Sequence, residues 1–395
     1  MLKKIQIKNF KTCNNVKIEM KYPLMAIVGK NAAGKTNLLT GIDKASEWCL
    51  FRSIAQNEAN PLLKKGFSAQ FEFNIRKAKC TYKYTIYGRK KQYIKDSLDI
   101  EIDNCKINVF SKKLKNTLYV NGIDGTTIIS PDDSGLNFIL STLLSDEKKS
   151  GAIKNISKYS GQLFEIFKFL FNVKYYGVQN QPNLKYFWVK DFDDWKDTNK
   201  YDDDDTNFSY QFYDFYKNRS EDFKEYLSIL KSIGLIEDIQ CLELSPGTGE
   251  LPLPPGEILI FFHFKLWGQW IPYMWLSDGT RRIVRLLFNL LYDNASLMLI
   301  EEPESSIHWG LLSKLLAILE KYTDNNKKIL ISTHSEQILN NLKPEQLLYL
   351  YYDKGITNIK YINKQSLSRI KKFLDEVGPL GEYATSGGLE DELND

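Results

Sequence analysis

The chain has 395 residues, 43% of them apolar, and a formal net charge of +4 at neutral pH. That length supports a large core and two lobes, the lack of any run of 18 apolar residues excludes a membrane-spanning helix, and a balance this near neutral does not mark a nucleic-acid binder. Five cysteines without a C-x-x-C pair argue against a disulfide framework or a structural zinc site, so a soluble, cytoplasmic protein is expected.

Residues 1–7 open as a strand rather than a signal peptide. Further strands are expected over 3–9, 16–20 and 24–28, and the last of these runs directly into Gly29-Lys30-Asn31-Ala32-Ala33-Gly34-Lys35-Thr36. This G-x-x-x-x-G-K-T run is a P-loop. Its glycines permit a backbone that turns a row of N–H groups inward, and with the N-terminus of the next helix they cradle a polyphosphate. Asn31, Ala32, Ala33, Gly34, Lys35, Thr36 and Asn37 are therefore expected to hold ATP, with Lys35 on the β- and γ-phosphates and the Thr36 hydroxyl on Mg²⁺. Apolar residues continue at helical intervals to Leu50.

Alternating runs at 67–76, 81–87, 98–102 and 117–120 predict an antiparallel sheet beside this site. The basic clusters Arg89-Lys90-Lys91 and Lys112-Lys113-Leu114-Lys115 fit solvated hairpin edges or a DNA contact. From 131 to 256 an inserted helical lobe is expected, with helices at 135–144, 157–170 and 220–233, while the aromatic-rich stretch 175–216 has no clear period. Residues 191–205 carry eight Asp and two Lys, leaving +10 on the rest of the chain. Asp202 to Asp205 read as a solvated loop or a patch for a basic partner. The prolines and glycine of 251–256 return the chain to the first lobe, and a hairpin of 257–264 with 269–275 follows. Domain limits of 1–130, 131–256 and 257–395 result.

Three segments complete the pattern. Ser277 caps a helix beginning Asp278-Gly279-Thr280, whose N-terminus is a second anion site and so suits the phosphates of another subunit. Leu297-Met298-Leu299-Ile300 ends in Glu301-Glu302, a pair suited to divided labour: Glu301 on Mg²⁺, Glu302 orienting or deprotonating water. Lys328 to Thr333 ends in His334, placed to sense a γ-phosphate or hold that water.

In this order the segments resemble the P-loop, signature, Walker B and His-switch elements of ABC-type AAA ATPases of the RecF, SMC and OLD group. Asn9-Phe10-Lys11, Ser277 to Thr280, Glu301 to His308 and the tail from Gly381 to Leu389 look most like the compact OLD-type ATPases of anti-phage systems of the PARIS and Septu kinds. The likeness spans 1 to about 110 and 257–395. It implies an α/β fold of ABC type: a mixed or parallel core sheet with an antiparallel subdomain and an inserted helical lobe. It also implies ATP hydrolysis with Mg²⁺, a nucleotide contact from Lys11, and contacts from Ser277 and Gly279 to ATP held by the partner in a head-to-tail dimer or larger homo-oligomer. Further implied partners are a separately encoded nuclease or toxin effector and a phage protein as trigger, with DNA as an open possibility and no membrane. A RecF-like DNA-maintenance ATPase and a non-hydrolysing ATP-bound scaffold are the alternatives. Glu301 stands where Asp is usual, Asp278-Gly279-Thr280 where transporters have Gly-Gly-Gln, and Gln56 and Gln70 both remain candidates for the Q-loop. The roughly sixty residues after His334 leave no room for a Toprim nuclease domain.

Overall fold

A computed structural model describes residues 1–50, 66–87, 93–113, 117–120, 127–128, 134–144, 157–178, 182–198, 204–245, 258–324 and 326–391. Gln56, Arg89-Lys90-Lys91, Leu114-Lys115, Asp202-Asp203 and the break at 251–256 lie outside them. The chain forms two compact units: residues 1–176, 295–303 and 319–395 make one, and residues 177–294 with 304–318 the other.

The first unit has the expected α/β P-loop ATPase fold of ABC type. Its core sheet has six strands in the order Val173–Tyr176, Leu297–Glu301, Lys328–Ser332, Leu24–Val28, Leu347–Asp353, Ile356–Tyr361. The first five are parallel and the last is antiparallel to its neighbour. Leu24–Val28 and Lys328–Ser332 are buried along their whole length, as befits short unalternating apolar strands in a parallel sheet.

A second sheet, of eight strands, is antiparallel and orders Cys13–Glu19, Leu2–Phe10, Phe67–Ile75, Ala78–Tyr87, Tyr93–Ile102, Cys105–Lys113, Thr117–Val120, Thr127–Ile128. Strict alternation along Phe67–Ile75 and Ala78–Tyr87 buries every second residue. The strand Cys105–Lys113 was not expected. Its pairing shifts register between Leu98 and Asp99 of its neighbour, and its outer half is mostly exposed, so no clean period marks it.

The P-loop helix Lys35–Leu50 buries one face, with Leu38, Leu39, Ile42, Ala45 and Cys49 in the core shared with both sheets. At its far end Tyr84 OH donates to the Trp48 carbonyl (2.7 Å) and Ser134 Oγ to that of Cys49 (2.9 Å), satisfying carbonyls that a helix leaves open. Helices Gly135–Leu144 and Ser160–Phe171 place Leu136, Ile139, Leu140, Leu163 and Ile166 in this same core. They belong to the first unit rather than to a lobe starting at 131, because their apolar faces close the P-loop core.

Asp96 caps the first of these helices, accepting from the N–H groups of Gly135 (2.9 Å) and Leu136 (3.1 Å) and from Tyr82 OH (3.1 Å). Burial outweighs these hydrogen bonds and raises its carboxyl from 3.8 to about 6. The folded chain therefore keeps a proton that the unfolded chain releases, and stability is lost as pH rises from about 4 through about 6. Asp96→Asn is expected to remove that part of the fall, roughly 3 kcal/mol at about 1.4 per unit. Urea midpoints at about pH 4.5 and about pH 7 should then lie closer together than in the wild type. Asp43, also raised to about 6 by burial, leaves its own slope over the same pH range.

The second unit is not all-helical. Helices Val189–Thr198, Asp204–Asn218, Ser220–Ser232 and Asp278–Tyr292 accompany a four-stranded antiparallel sheet built on Leu259–Leu266. Its core is aromatic: Phe212 packs against Phe223, Tyr226, Phe262 and Phe288 with ring centroids 4.9–6.1 Å apart, mostly edge to face. Aromatic packing without a regular repeat explains why 175–216 shows no period.

Candidate nucleotide site

Three core strands of the first unit end side by side, since Ile27 pairs with Ser332 and Ser332 with Glu301. Ligands of open α/β sheets bind at this carboxyl edge, where loops leave the sheet.

The first of these loops is the P-loop. A Cβ at Gly29 (φ 155°) would come within 2.1 Å of the Leu350 carbonyl oxygen, and one at Gly34 (φ 98°) within 2.1 Å of Thr357 Oγ1, so both positions require glycine. Thr357, wholly buried, donates to the Ala33 carbonyl (3.0 Å) and lies 2.7 Å from the Thr12 hydroxyl. Asn37 Nδ2 donates to that same Thr12 hydroxyl at 2.9 Å. Two threonines thus fix the loop from behind, one from the turn between the first two strands and one from the last strand pair. Lys35 is buried, and its ammonium donates to the carbonyls of Gly29 (2.8 Å) and Lys30 (3.2 Å), which holds it across the loop.

Beside it stand the two carboxylates. Thr36 Oγ1 donates to Glu301 Oε1, and Tyr175 OH donates to Glu301 Oε2 at 2.5 Å. Glu302 is left-handed (φ 40°), a strained conformation for a non-glycine residue, and its N–H donates to the Ser332 carbonyl (2.9 Å). That break in the strand separates the pair: Glu301 meets Thr36, while Glu302 Oε1 lies 3.5 Å from His334 Nδ1. The Thr36 hydroxyl and Glu301 carboxylate are hard oxygen donors that suit Mg²⁺, which keeps several waters and completes its shell with phosphate oxygens. Among the described residues no cluster of three or more His, Cys, Asp or Glu offers a self-contained metal cage.

Asn31 and Ala33 line a cavity of about 400 Å³ with Lys30, Tyr349 to Tyr352 and Glu390, and Lys30 Nζ pairs with Glu390 at 2.7 Å. Ala32 is left-handed (φ 63°) within the loop. Lys11 is exposed in the turn next to Thr12, its ammonium 5.5 Å from the Phe10 ring centroid. Asn37 turns its amide to Thr12 rather than outward. Gln70 donates to Glu72 (2.8 Å) along its own strand.

Ser277 and Gly279 belong to the second unit. Ser277 is exposed and caps the helix, its hydroxyl accepting from Thr280 N at 3.2 Å. Gly279 is buried, and a Cβ there would come 2.0 Å from the Ser306 carbonyl oxygen. Its lack of a side chain is thus already required inside its own unit. At the helix's far end Arg219 donates to the carbonyls of Leu291 (3.0 Å) and Tyr292 (2.8 Å).

Sequence reading missed Tyr175, Thr12 and Thr357. Thr12 directly follows Asn9-Phe10-Lys11, which was a signal, whereas nothing local distinguishes Thr357 or Tyr175.

A family model described as "AAA domain, putative AbiEii toxin, Type IV TA system" matches residues 130–340. No curated protein matches the chain. Similar solved structures include an SmcHead bound to the C-winged helix domain of ScpA, 11% identical with a TM-score of 0.49, covering 93% of this chain and 99% of that one. Another is the SMC head domain from Thermotoga maritima, 15% identical with a TM-score of 0.44, covering 92% and 99%. A third is the Pyrococcus furiosus Smc head domain with an extended coiled coil bound to the C-terminal domain of ScpA, 14% identical with a TM-score of 0.45, covering 95% and 99%.

Proposed function

Because this chain belongs to the AAA-domain family whose description names the AbiEii toxin of type IV toxin–antitoxin systems, we propose that it is an ATP-hydrolysing switch controlling a separately encoded effector in anti-phage defence. The observation that carries the enzymatic part is the convergence of Lys35, Thr36, Glu301, Glu302 and His334 on one sheet edge. In this reading the P-loop N–H groups and Lys35 bind the ATP phosphates, and Thr36 and Glu301 hold Mg²⁺, which when bound neutralises charge on the β- and γ-phosphates. Glu302 takes a proton from the attacking water or orients it, and His334, beside it, fixes that water or the γ-phosphate.

The switch is a second copy of the chain. Ser277 is exposed at a helix N-terminus, suited to the γ-phosphate of ATP held by a partner. Around it, Trp267 (86% exposed), Trp275 (75%) and Met274 (59%) give the second unit an aromatic surface of the composition found in protein interfaces. Trp267 shares a groove of about 710 Å³ with Ser277 and Thr280, which supports closure of a second copy over this segment.

The effector assignment, of PARIS or Septu kind, rests on the tail and signature resemblance and on a family description that concerns a toxin–antitoxin system. The DNA-maintenance alternative gains little from the basic cluster at 112–115: Lys112 is buried, and the Lys113 ammonium lies 4.6 Å from the Tyr119 ring centroid.

Mixed subunits test the shared site. Lys35→Ala removes ATP binding from one chain and Ser277→Arg removes the trans contact from the other, so each mixed dimer keeps one intact site. Each variant alone should be nearly inactive, and the mixture should recover part of the wild-type ATPase rate once two-tag co-purification shows that subunits exchange. Exchange without recovered activity would remove the composite site.

A further inference from the structure

We infer that Tyr175 is a positioning residue that restricts Glu301 to a single metal-facing oxygen and thereby favours Mg²⁺ over larger divalent cations. This rests on the proposed nucleotide function and adds to it a residue that the P-loop pattern does not contain.

The geometry follows from strand periodicity. Val173–Tyr176 is the edge strand and pairs in parallel with Leu297–Glu301, with Tyr175 opposite Leu299. Leu299 and Glu301 share a face, because side chains alternate along a strand. The Tyr175 phenol therefore reaches diagonally, two residues along its neighbour, and ends on Glu301 Oε2 at 2.5 Å. Its ring is partly buried and packs on the hydrophobic core, which fixes where the hydroxyl points.

Each carboxylate oxygen then has its own donor: Thr36 on Oε1, Tyr175 on Oε2. A hydroxyl on a carboxylate is among the stronger protein hydrogen bonds. Oε1 is the oxygen that the Thr36 hydroxyl, the other expected metal ligand, contacts, while Tyr175 engages Oε2, so Glu301 is set to bind through one oxygen. Monodentate ligation suits Mg²⁺, which requires a compact octahedron and few protein ligands. Ca²⁺ takes six to eight oxygens and readily accepts both from one carboxylate. Removing the phenol takes away this donor to Oε2 and loosens the carboxylate's orientation.

The test is Tyr175→Phe, which keeps the ring and removes the hydroxyl. Binding of a fluorescent ATP analogue would be titrated with Mg²⁺, with Ca²⁺ and in EDTA, in the wild type, Tyr175→Phe, Glu301→Gln and the double variant. The expected result is a Mg²⁺ midpoint raised about 10-fold or more, the range for groups that orient metal ligands. The Ca²⁺ midpoint should move less, affinity in EDTA should not change, and the Tyr175→Phe effect should vanish in the Glu301→Gln background. A Mg²⁺ midpoint like the wild type's, equal shifts for both ions, or an undiminished effect without the Glu301 charge would each overturn the inference. Failure of the wild type to bind the analogue at all would instead refute the nucleotide function, and the Tyr175 role with it.

Discussion

Replacing Lys35 with Ala is expected to weaken ATP binding by at least about 100-fold, since hydrogen bonds to charged groups are worth roughly 1.5–3 kcal/mol each and the proposed site has this ammonium exchange its two loop carbonyls for phosphate oxygens. The loop itself helps to set its position, since the ammonium donates to the P-loop carbonyls of Gly29 and Lys30. Truncation should leave the loop in place, because Thr357 still holds the Ala33 carbonyl and Thr12 still holds Asn37. Equilibrium binding by calorimetry measures the loss, with circular dichroism confirming a native fold. Undiminished affinity in a folded Lys35→Ala protein would remove the nucleotide site from this loop.

Glu302→Gln separates binding from turnover. The substitution keeps the shape and removes the basicity, and a general base contributes roughly 10²–10⁴-fold to rate. Hydrolysis should fall by about that factor while ATP affinity stays near the wild-type value, because the proposed site assigns Mg²⁺ to Thr36 and Glu301, which hydrogen-bond each other, and not to Glu302. Single-turnover hydrolysis gives the rate, and light scattering should show the ATP-bound variant collecting as a closed dimer. Wild-type turnover would transfer the role to His334, 3.5 Å away, or to Glu301.

What the sequence disclosed follows from how each element is built. Short strands with an unbroken apolar run ending in a distinctive polar segment announce themselves, so Leu24–Val28, Leu297–Glu301 and Lys328–Ser332 could be read together with the residues at their ends. Most strands of the antiparallel sheet showed through their alternation, but a register shift interrupted it at Cys105–Lys113, and Thr127–Ile128, Phe187–Trp188, Asp238–Leu244 and Ile356–Tyr361 were not read. Tyr175 was hidden for a different reason. The edge strand that carries it has only four residues and runs into an aromatic stretch whose side chains pack edge to face in three dimensions rather than at any interval along the chain. Its partner Glu301 is 126 positions away, and no local pattern encodes that pairing. Thr357 and Ala33 are likewise 324 positions apart. The unit boundary near 177 was obscured because helices on both sides of it are amphipathic, and only packing shows which core each one closes.

An active site completed only by two chains is tested most directly by the ATPase rate per subunit as a function of protein concentration. The measurement runs across the range in which sedimentation shows monomer becoming dimer in the presence of Mg²⁺ and ATP. The rate per subunit is predicted to be near zero for the dilute monomer, to rise with the dimer fraction and to level off when dimerisation is complete. A rate per subunit that stays constant down to the monomer would contradict it.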